Sequence, residues 1–482
     1  MNNVTYEQKK AVGLKFILDN LCPVSAYGIE KAKKLGFYLP AQLKELDIEL
    51  NNIQKACDTL EKFENEYAEL THTLSCANNI IKTITKCASS ALDDVELFEI
   101  KIYLLLLIKI KKTFDKINKT ANFTDINFSD LTKALNIVDP EKNRIATFYV
   151  PSSLSSKLSE LRQSKTKIEQ QLSVTAKNAA NSLVEKHTEL AKQEEAEENR
   201  LRAVMSANLS PYAEQMRQNA DAIANLDLII AKAKLAKKYG AIMPDIITHK
   251  KITAKNVFNP MIAENLKERN AEFTPISFSV ESGATVITGA NMGGKSVALK
   301  TLALNILLAQ MGFFVFAQKL SMPLFDFCAL AVTDTERTDR GLSSFGGEIA
   351  RLNETYQKTK TEFGLIIIDE LAKGTNALEG QEIFAATAQA LNGKDSISVL
   401  TTHYDGVAKY ANKHYQVLGL QNLDENYIPS KNIDENIQYL AKKMNYGLKE
   451  VPLTSYAPKE AFSICVALGL DREILDKIKI DH

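Results

Sequence analysis

The stretch Gly289-Ala290-Asn291-Met292-Gly293-Gly294-Lys295-Ser296 constrains this chain more than any other part of it. It satisfies G-x-x-x-x-G-K-[ST], and it lies between the apolar run Ala284–Thr288 and a helical pattern running from about Ser296 to Met311. Glycines let successive main-chain N–H groups converge on phosphate oxygens, and the start of a helix adds positive potential there. Gly289, Asn291, Met292, Gly293 and Gly294 would form such a cradle. Lys295 would bridge β- and γ-phosphates, and the Ser296 hydroxyl would be a ligand for Mg²⁺.

Two later runs supply the acids and the edge residues that such a loop needs. Leu365–Ile368 is an apolar strand that ends in Asp369 and Glu370, which delivers two carboxylates to the carboxyl edge of a buried sheet. Asp369 is expected to hold Mg²⁺, and Glu370 to orient, or take a proton from, the water that attacks the γ-phosphate. Ser398–Thr401 is a third strand, leading into Thr402-His403-Tyr404, and His403 is expected to contact the γ-phosphate or that water.

The rest of the chain divides by its grammar. From Glu7 to about Ala236 there is little Gly, and apolar residues recur every three or four positions, which predicts helix after helix. Pro23 with Ser25, Gly36 with Pro40, and the segment Asn136–Ser153 mark the breaks. Leu154–Leu201 has the spacing of a long, partly exposed helix or arm. From Asp245 short β-rich runs alternate with helices: Ala284–Thr288, Phe313–Phe316, Leu365–Ile368, Ser396–Thr401 and Tyr415–Leu420. A polar loop is expected over Asp424–Glu435, and helix over the rest of the last fifty or so residues.

The expected fold is therefore multidomain, an all-α N-terminal region followed by an α/β P-loop domain and C-terminal helices. The boundaries fall at 1–92 for a helical core start, 93–240 for a helical lever or arm region, 241–422 for the P-loop domain and 423–482 for the C-terminal segment.

Composition excludes some classes. The 482 residues carry 59 basic and 59 acidic side chains, so a nucleic-acid partner would need a local patch and not a basic domain. Candidates for one are Lys109, Lys111, Lys112, Lys116 and Lys119, and Lys232, Lys234, Lys237 and Lys238, although solvated helix faces account for them as well. The six cysteines form no CxxC pair, which fits reduced thiols. Met1 leads into a polar stretch, and no window is apolar for about 18 residues, so no membrane association and a cytoplasmic location are expected.

Taken together, the motifs resemble those of the MutS family. Ile287–Ser296 is similar to the family's TGPNMGGKS loop, with Ala290 in place of Pro. Leu342–Glu348 is similar to its S-T-F-x-x-[EH] signature, Asp369–Asn376 to DELGxGT, and Thr401–Tyr404 to TTHY. The likeness is nearer the family's second, nuclease-tailed branch. The resemblance implies an ABC-type ATPase that uses ATP and Mg²⁺, with composite sites in a homodimer. In such a site Ser343 of one subunit reaches the γ-phosphate held by the other, and an aromatic ahead of the P-loop strand, here Phe273, packs the adenine. Core-like sequence begins near Met1 and the chain stops at His482, so a shortened form without mismatch-recognition and nuclease domains is expected. Two functions stay open. One is a dimeric clamp acting on DNA in mismatch repair or recombination, without sequence preference; the other is a protein-remodelling ATPase, such as a reactivating factor for a cobamide-dependent aminomutase of the lysine 5,6-aminomutase type.

Overall fold

The computed structural model describes residues 4–174, 181–268, 271–289, 294–332, 344–372, 375–420, 427, 429–430, 432–456, 461–475 and 477–478. The chain divides into two compact units. One comprises Met1–Leu21, Leu35–Gln54 and Lys232–His482, and the other Cys22–Lys34 and Lys55–Ala231.

The second unit is helical. Its helix Asp94–Ala121 opens on a capping box between Asp93 and Glu96 and stops at Asn122, which takes a left-handed conformation. Leu97, Ile100, Leu104, Leu107, Ile110, Phe114 and Ile117 recur every three or four residues along it and are buried. The expected arm is two helices, Ser156–Val174 and Asn181–Leu209. They run antiparallel: Arg162 meets Glu194 at 2.9 Å, and farther along His187 meets Glu169 at 3.0 Å. Val150, Leu158 and Leu201 close a small core at their base.

Among the described residues the first unit contains ten strands: β1 (Asp245–Ile246), β2 (Lys251–Val257), β3 (Ile276–Glu281), β4 (Gly283–Thr288), β5 (Lys319–Met322), β6 (Phe327–Ala331), β7 (Gly364–Asp369), β8 (Ile397–Thr402), β9 (Lys413–Leu420) and β10 (Met444–Val451). Four of them form a sheet in the order β1-β5-β2-β3, and six form another in the order β10-β9-β4-β8-β7-β6. In the larger sheet β9, β4, β8, β7 and β6 are mutually parallel, and β10 joins the edge antiparallel. Every residue of β4 and β8 is buried, as expected of strands covered on both faces. The helix Lys295–Gln310 follows β4 and is itself almost wholly buried. The helix Ala377–Asn392 follows β7, and its Phe384 and Ala388 pack with Ile366, Ile368 and Leu400.

Two expectations are corrected. Phe313–Phe316 is not a strand: only Val315 makes a bridge, to Ile242. Its aromatic side chains are spent on packing, Phe316 against Tyr239 and Phe258, and Phe313 beneath the Lys232 ammonium. The C-terminal segment is not helix throughout, because β10 separates the helix Ile433–Lys443 from Ala461–Ala467. The strand exists because β9 offers a free edge along Leu420 to His414. Most of the expected loop over residues 424–435 lies outside the described residues, and helix begins at Ile433. Among the described residues no helix is long and apolar enough to cross a membrane.

Candidate functional site

The buried strand β4 ends at Thr288, and the chain turns at Gly289, whose φ of +148° only glycine adopts readily. A Cβ there would also fall 2.1 Å from a methyl of Val417 on β9. The helix Lys295–Gln310 begins after Gly294, which has φ +96° and, as glycine, brings no side chain to cap the first N–H groups. Asn291, Met292 and Gly293 lie outside the described residues, as does Ser343. Ser296 is half-buried in the first turn of the helix.

Lys295 is 3% exposed. Its ammonium donates to the Gly289 carbonyl at 2.7 Å and lies 3.3 Å from a carboxylate oxygen of Glu370. A buried ammonium demands such partners, and here they come from the two ends of adjoining motifs. β8 separates β4 from β7, so the carboxyl ends of three neighbouring strands converge on Lys295.

Asp369, the last residue of β7, is paired in register with Thr401 on β8. The Thr401 hydroxyl donates to Asp369 Oδ1 at 2.7 Å and accepts the Glu370 main-chain N–H at 3.1 Å. Glu370 and Ala372 both take positive φ, +53° and +66°. For residues other than glycine this costs roughly 1–2 kcal/mol each, and such strain gathers at functional sites. The Ala372 N–H donates to Glu348 at 3.2 Å, so the helix Ser344–Lys358 supports the same turn.

His403 is exposed just beyond β8, with its ring 4.5 Å from that of Tyr404. Burial raises the Tyr404 phenol pKa, and the nearby Glu370 and Glu348 carboxylates push it the same way. Phe273 sits half-buried ahead of β3, and no described contact joins it to Lys295, Asp369 or Glu370.

Three residues escape sequence reasoning. Thr401 stands in a sequence motif, but its bond to Asp369 depends on the pairing of β7 with β8. Tyr446 on β10 lies so close that a Cβ on Gly294 would fall 2.3 Å from its ring, and burial raises its phenol pKa. His414 on β9 is buried under the end of β4: its Nδ1 is 3.0 Å from the Pro452 carbonyl and its Nε2 2.7 Å from the Thr288 hydroxyl. A carbonyl can only accept, so Nδ1 carries the proton and Nε2 accepts from Thr288. Burial lowers the imidazole pKa, against the opposing effect of the Pro452 bond. The signal for Tyr446 and His414 is strand register, which local sequence does not carry.

These residues fit a nucleotide with Mg²⁺. A buried ammonium faces a glycine turn and a helix start whose N-cap is glycine, and an aspartate held by a threonine stands at the adjoining strand end. Mg²⁺ is usually held by one or two carboxylates together with substrate phosphates, which Asp369 and Ser296 would match.

Residues 285–465 match the family model described as MutS domain V. The chain is similar to the protein named Endonuclease MutS2 of Leuconostoc citreum, 30% identical over 233 residues, which is 48% of this chain and 28% of that protein. The Endonuclease MutS2 of Enterococcus faecalis is 31% identical over 301 residues, 62% of this chain and 36% of the relative. The DNA mismatch repair protein MutS of Thermus aquaticus is 34% identical over 192 residues, 40% of this chain and 23% of the relative. The chain thus spans only about a third or less of the length of these curated relatives.

Proposed function

The chain belongs to the MutS family through its domain V, residues 285–465, and from that premise we propose that it binds and hydrolyses ATP as a dimer that acts on DNA. The observation that carries the nucleotide reading is Lys295, buried between the Gly289 carbonyl and the Glu370 carboxylate at the start of a helix.

In this reading Lys295 and the main-chain N–H groups from Gly289 to Ser296 bind the β- and γ-phosphates. Ser296 and Asp369 hold Mg²⁺, which when bound neutralises phosphate charge. Thr401 keeps Asp369 oriented. Glu370 orients, or takes a proton from, the attacking water, and His403 contacts the γ-phosphate or that water. Phe273 and Tyr446 are the aromatic candidates for packing the adenine, Tyr446 having the support of its place against Gly294. Ser343 serves the partner subunit's nucleotide, so ATP tightens the dimer. DNA as the client is supported by the name of the Thermus aquaticus relative. The site faces the cytoplasm in this reading, where ATP and Mg²⁺ are supplied.

The test is phosphate release by the purified chain and by Lys295→Ala, which is expected to lose nucleotide affinity and turnover together. Unchanged ATP affinity in the variant removes Lys295 from the site. For the dimer, Ser343→Arg and Lys295→Ala are each expected to be nearly inactive alone. Their mixture should regain up to about half the rate, since one composite site in the heterodimer is intact. Normal hydrolysis by Ser343→Arg as a verified monomer would overturn the shared site. Turnover without duplex binding at low salt would move the client from DNA to a protein.

A further inference from the structure

We propose that Lys109, Lys112, Lys116 and Lys119 form a stripe on the helix Asp94–Ala121 that docks the phosphate backbone of duplex DNA; this deepens the DNA reading above and rests on it.

The four lysines are spaced by three, four and three residues, so they share one face of the helix. All four are exposed, while Leu107, Ile110, Phe114 and Ile117 fill the buried face. Consecutive members repel each other at i,i+3 or i,i+4, which disfavours the helix that carries them. The helix dipole eases this only in the last turn, at Lys119.

Several exposed bases of the same unit pair with acids. Lys34 pairs with Glu30, Lys86 with Glu96, and Arg217 with Glu214 and Asp221. Even the neighbouring Lys111 is joined to Asp115 at 3.3 Å. Among the described residues the four stripe lysines have no ion pair. In a chain with equal numbers of basic and acidic residues, this is a local excess of positive charge.

The length of the stripe selects the partner. From Lys109 to Lys119 the helix rises by about 15 Å, over which one strand of a duplex presents on the order of four phosphates at about 3.4 Å each. A single phosphate group can engage only one end of such an array. The aromatic residue in this stretch, Phe114, is buried and offers no face for bases to stack on, so the stripe reads the backbone without base preference. Lysine suits the task, being a hydrated point charge on a flexible stem.

The experiment measures binding of a fluorescent duplex of about 30 base pairs to the full chain by anisotropy, from about 50 to 200 mM salt. It compares wild type with Lys109→Gln, Lys112→Gln, Lys116→Gln and Lys119→Gln combined. A control carries Lys251→Gln, Lys319→Gln, Lys360→Gln and Lys409→Gln, which removes the same charge from exposed sites elsewhere. The stripe variant is expected to lose about 0.9 of log–log salt slope per phosphate contact, and on the order of 10²-fold in affinity at the low-salt end. The control should stay close to wild type. Far-UV circular dichroism should show helix content kept; if the combined variant does not fold, the two double variants should each remove about half of the slope.

A wild-type slope in the stripe variant, with duplex binding by the wild type intact, overturns the stripe and leaves the DNA reading standing. No duplex binding by the wild type overturns both. Stripe-dependent binding of poly-glutamate in place of duplex also overturns both, and assigns the stripe to an acidic protein.

Discussion

Thr401 holds Asp369 by a 2.7 Å hydrogen bond from its hydroxyl, and the same oxygen accepts the N–H of Glu370 at 3.1 Å. One buried side chain thus sets both acids of the site. Thr401→Val keeps the shape and removes the oxygen. We expect turnover at fixed Mg²⁺ to fall about 10- to 100-fold, the usual effect of losing a group that orients a metal ligand. The Mg²⁺ concentration needed for half-maximal rate should rise, while ATP affinity without Mg²⁺ stays unchanged. Thr401→Ser should restore both. Equal losses in the Val and Ser variants would mean that the methyl group and its packing matter, not the hydroxyl.

Glu370 reaches Lys295 at 3.3 Å from a left-handed backbone position. Glu370→Gln preserves size and hydrogen bonding but removes the proposed base. ATP binding is expected to persist, and hydrolysis to slow by about 10²–10⁴-fold, the usual contribution of a positioned base. Equilibrium binding of a labelled nucleotide and single-turnover hydrolysis separate the two effects. Near-normal turnover would assign water activation to another group.

His414 makes the region pH-sensitive in a defined direction. It is buried and neutral, with Nε2 accepting from Thr288 at the end of β4. Burial lowers its native pKa below the ordinary value of 6.5, so the unfolded chain takes up a proton first as pH falls. The stability contributed by His414 is complete above about pH 6.5 and is lost progressively as pH drops toward the native value. The slope cannot exceed about 1.4 kcal/mol per pH unit for one proton. Thermal midpoints measured between about pH 7 and pH 5 should fall more steeply for wild type than for His414→Asn, which cannot titrate there. Parallel curves would remove His414 from the transition.

How much of this was legible in the sequence follows from where each signal resides. Asp369 and Glu370 close the apolar run Leu365–Ile368, and Lys295 closes the glycine stretch that follows the β-rich run Ala284–Thr288, so β4 and β7 could be read, and with them the position of the candidate site. The helix after β4 begins one residue from where its pattern placed it. The arm over residues 154–201 was visible as a polar helical pattern, but its division into an antiparallel pair depends on cross-helix partners such as Arg162 and Glu194. β10 was hidden because Met444–Val451 mixes polar and apolar residues and becomes a strand only against β9. Phe313–Phe316 misled because aromatic residues serve strand faces and irregular cores equally well. Tyr446 and His414 reach the site through pairing with chain far away in sequence, which no local pattern records.

Gly294 and Tyr446 provide the last prediction. Gly294 has φ +96°, and a Cβ added there would fall 2.3 Å from the Tyr446 ring. Gly294→Ala therefore meets two separate penalties: a left-handed backbone costing roughly 1–2 kcal/mol for any residue with a Cβ, and a clash that must move the ring or the turn. Both act at the first N–H groups of the helix Lys295–Gln310, so ATP affinity is expected to fall by at least about tenfold, the equivalent of about 1.4 kcal/mol. Tyr446→Ala in the same chain removes the clash and leaves the backbone cost. The double variant should recover part of the thermal stability lost by Gly294→Ala alone, which a double-mutant cycle reads as a favourable coupling. ATP affinity should not recover fully, because the turn at residue 294 remains strained. Strict additivity of the two substitutions would show that the ring and the glycine act independently, and would remove Tyr446 from the candidate phosphate site.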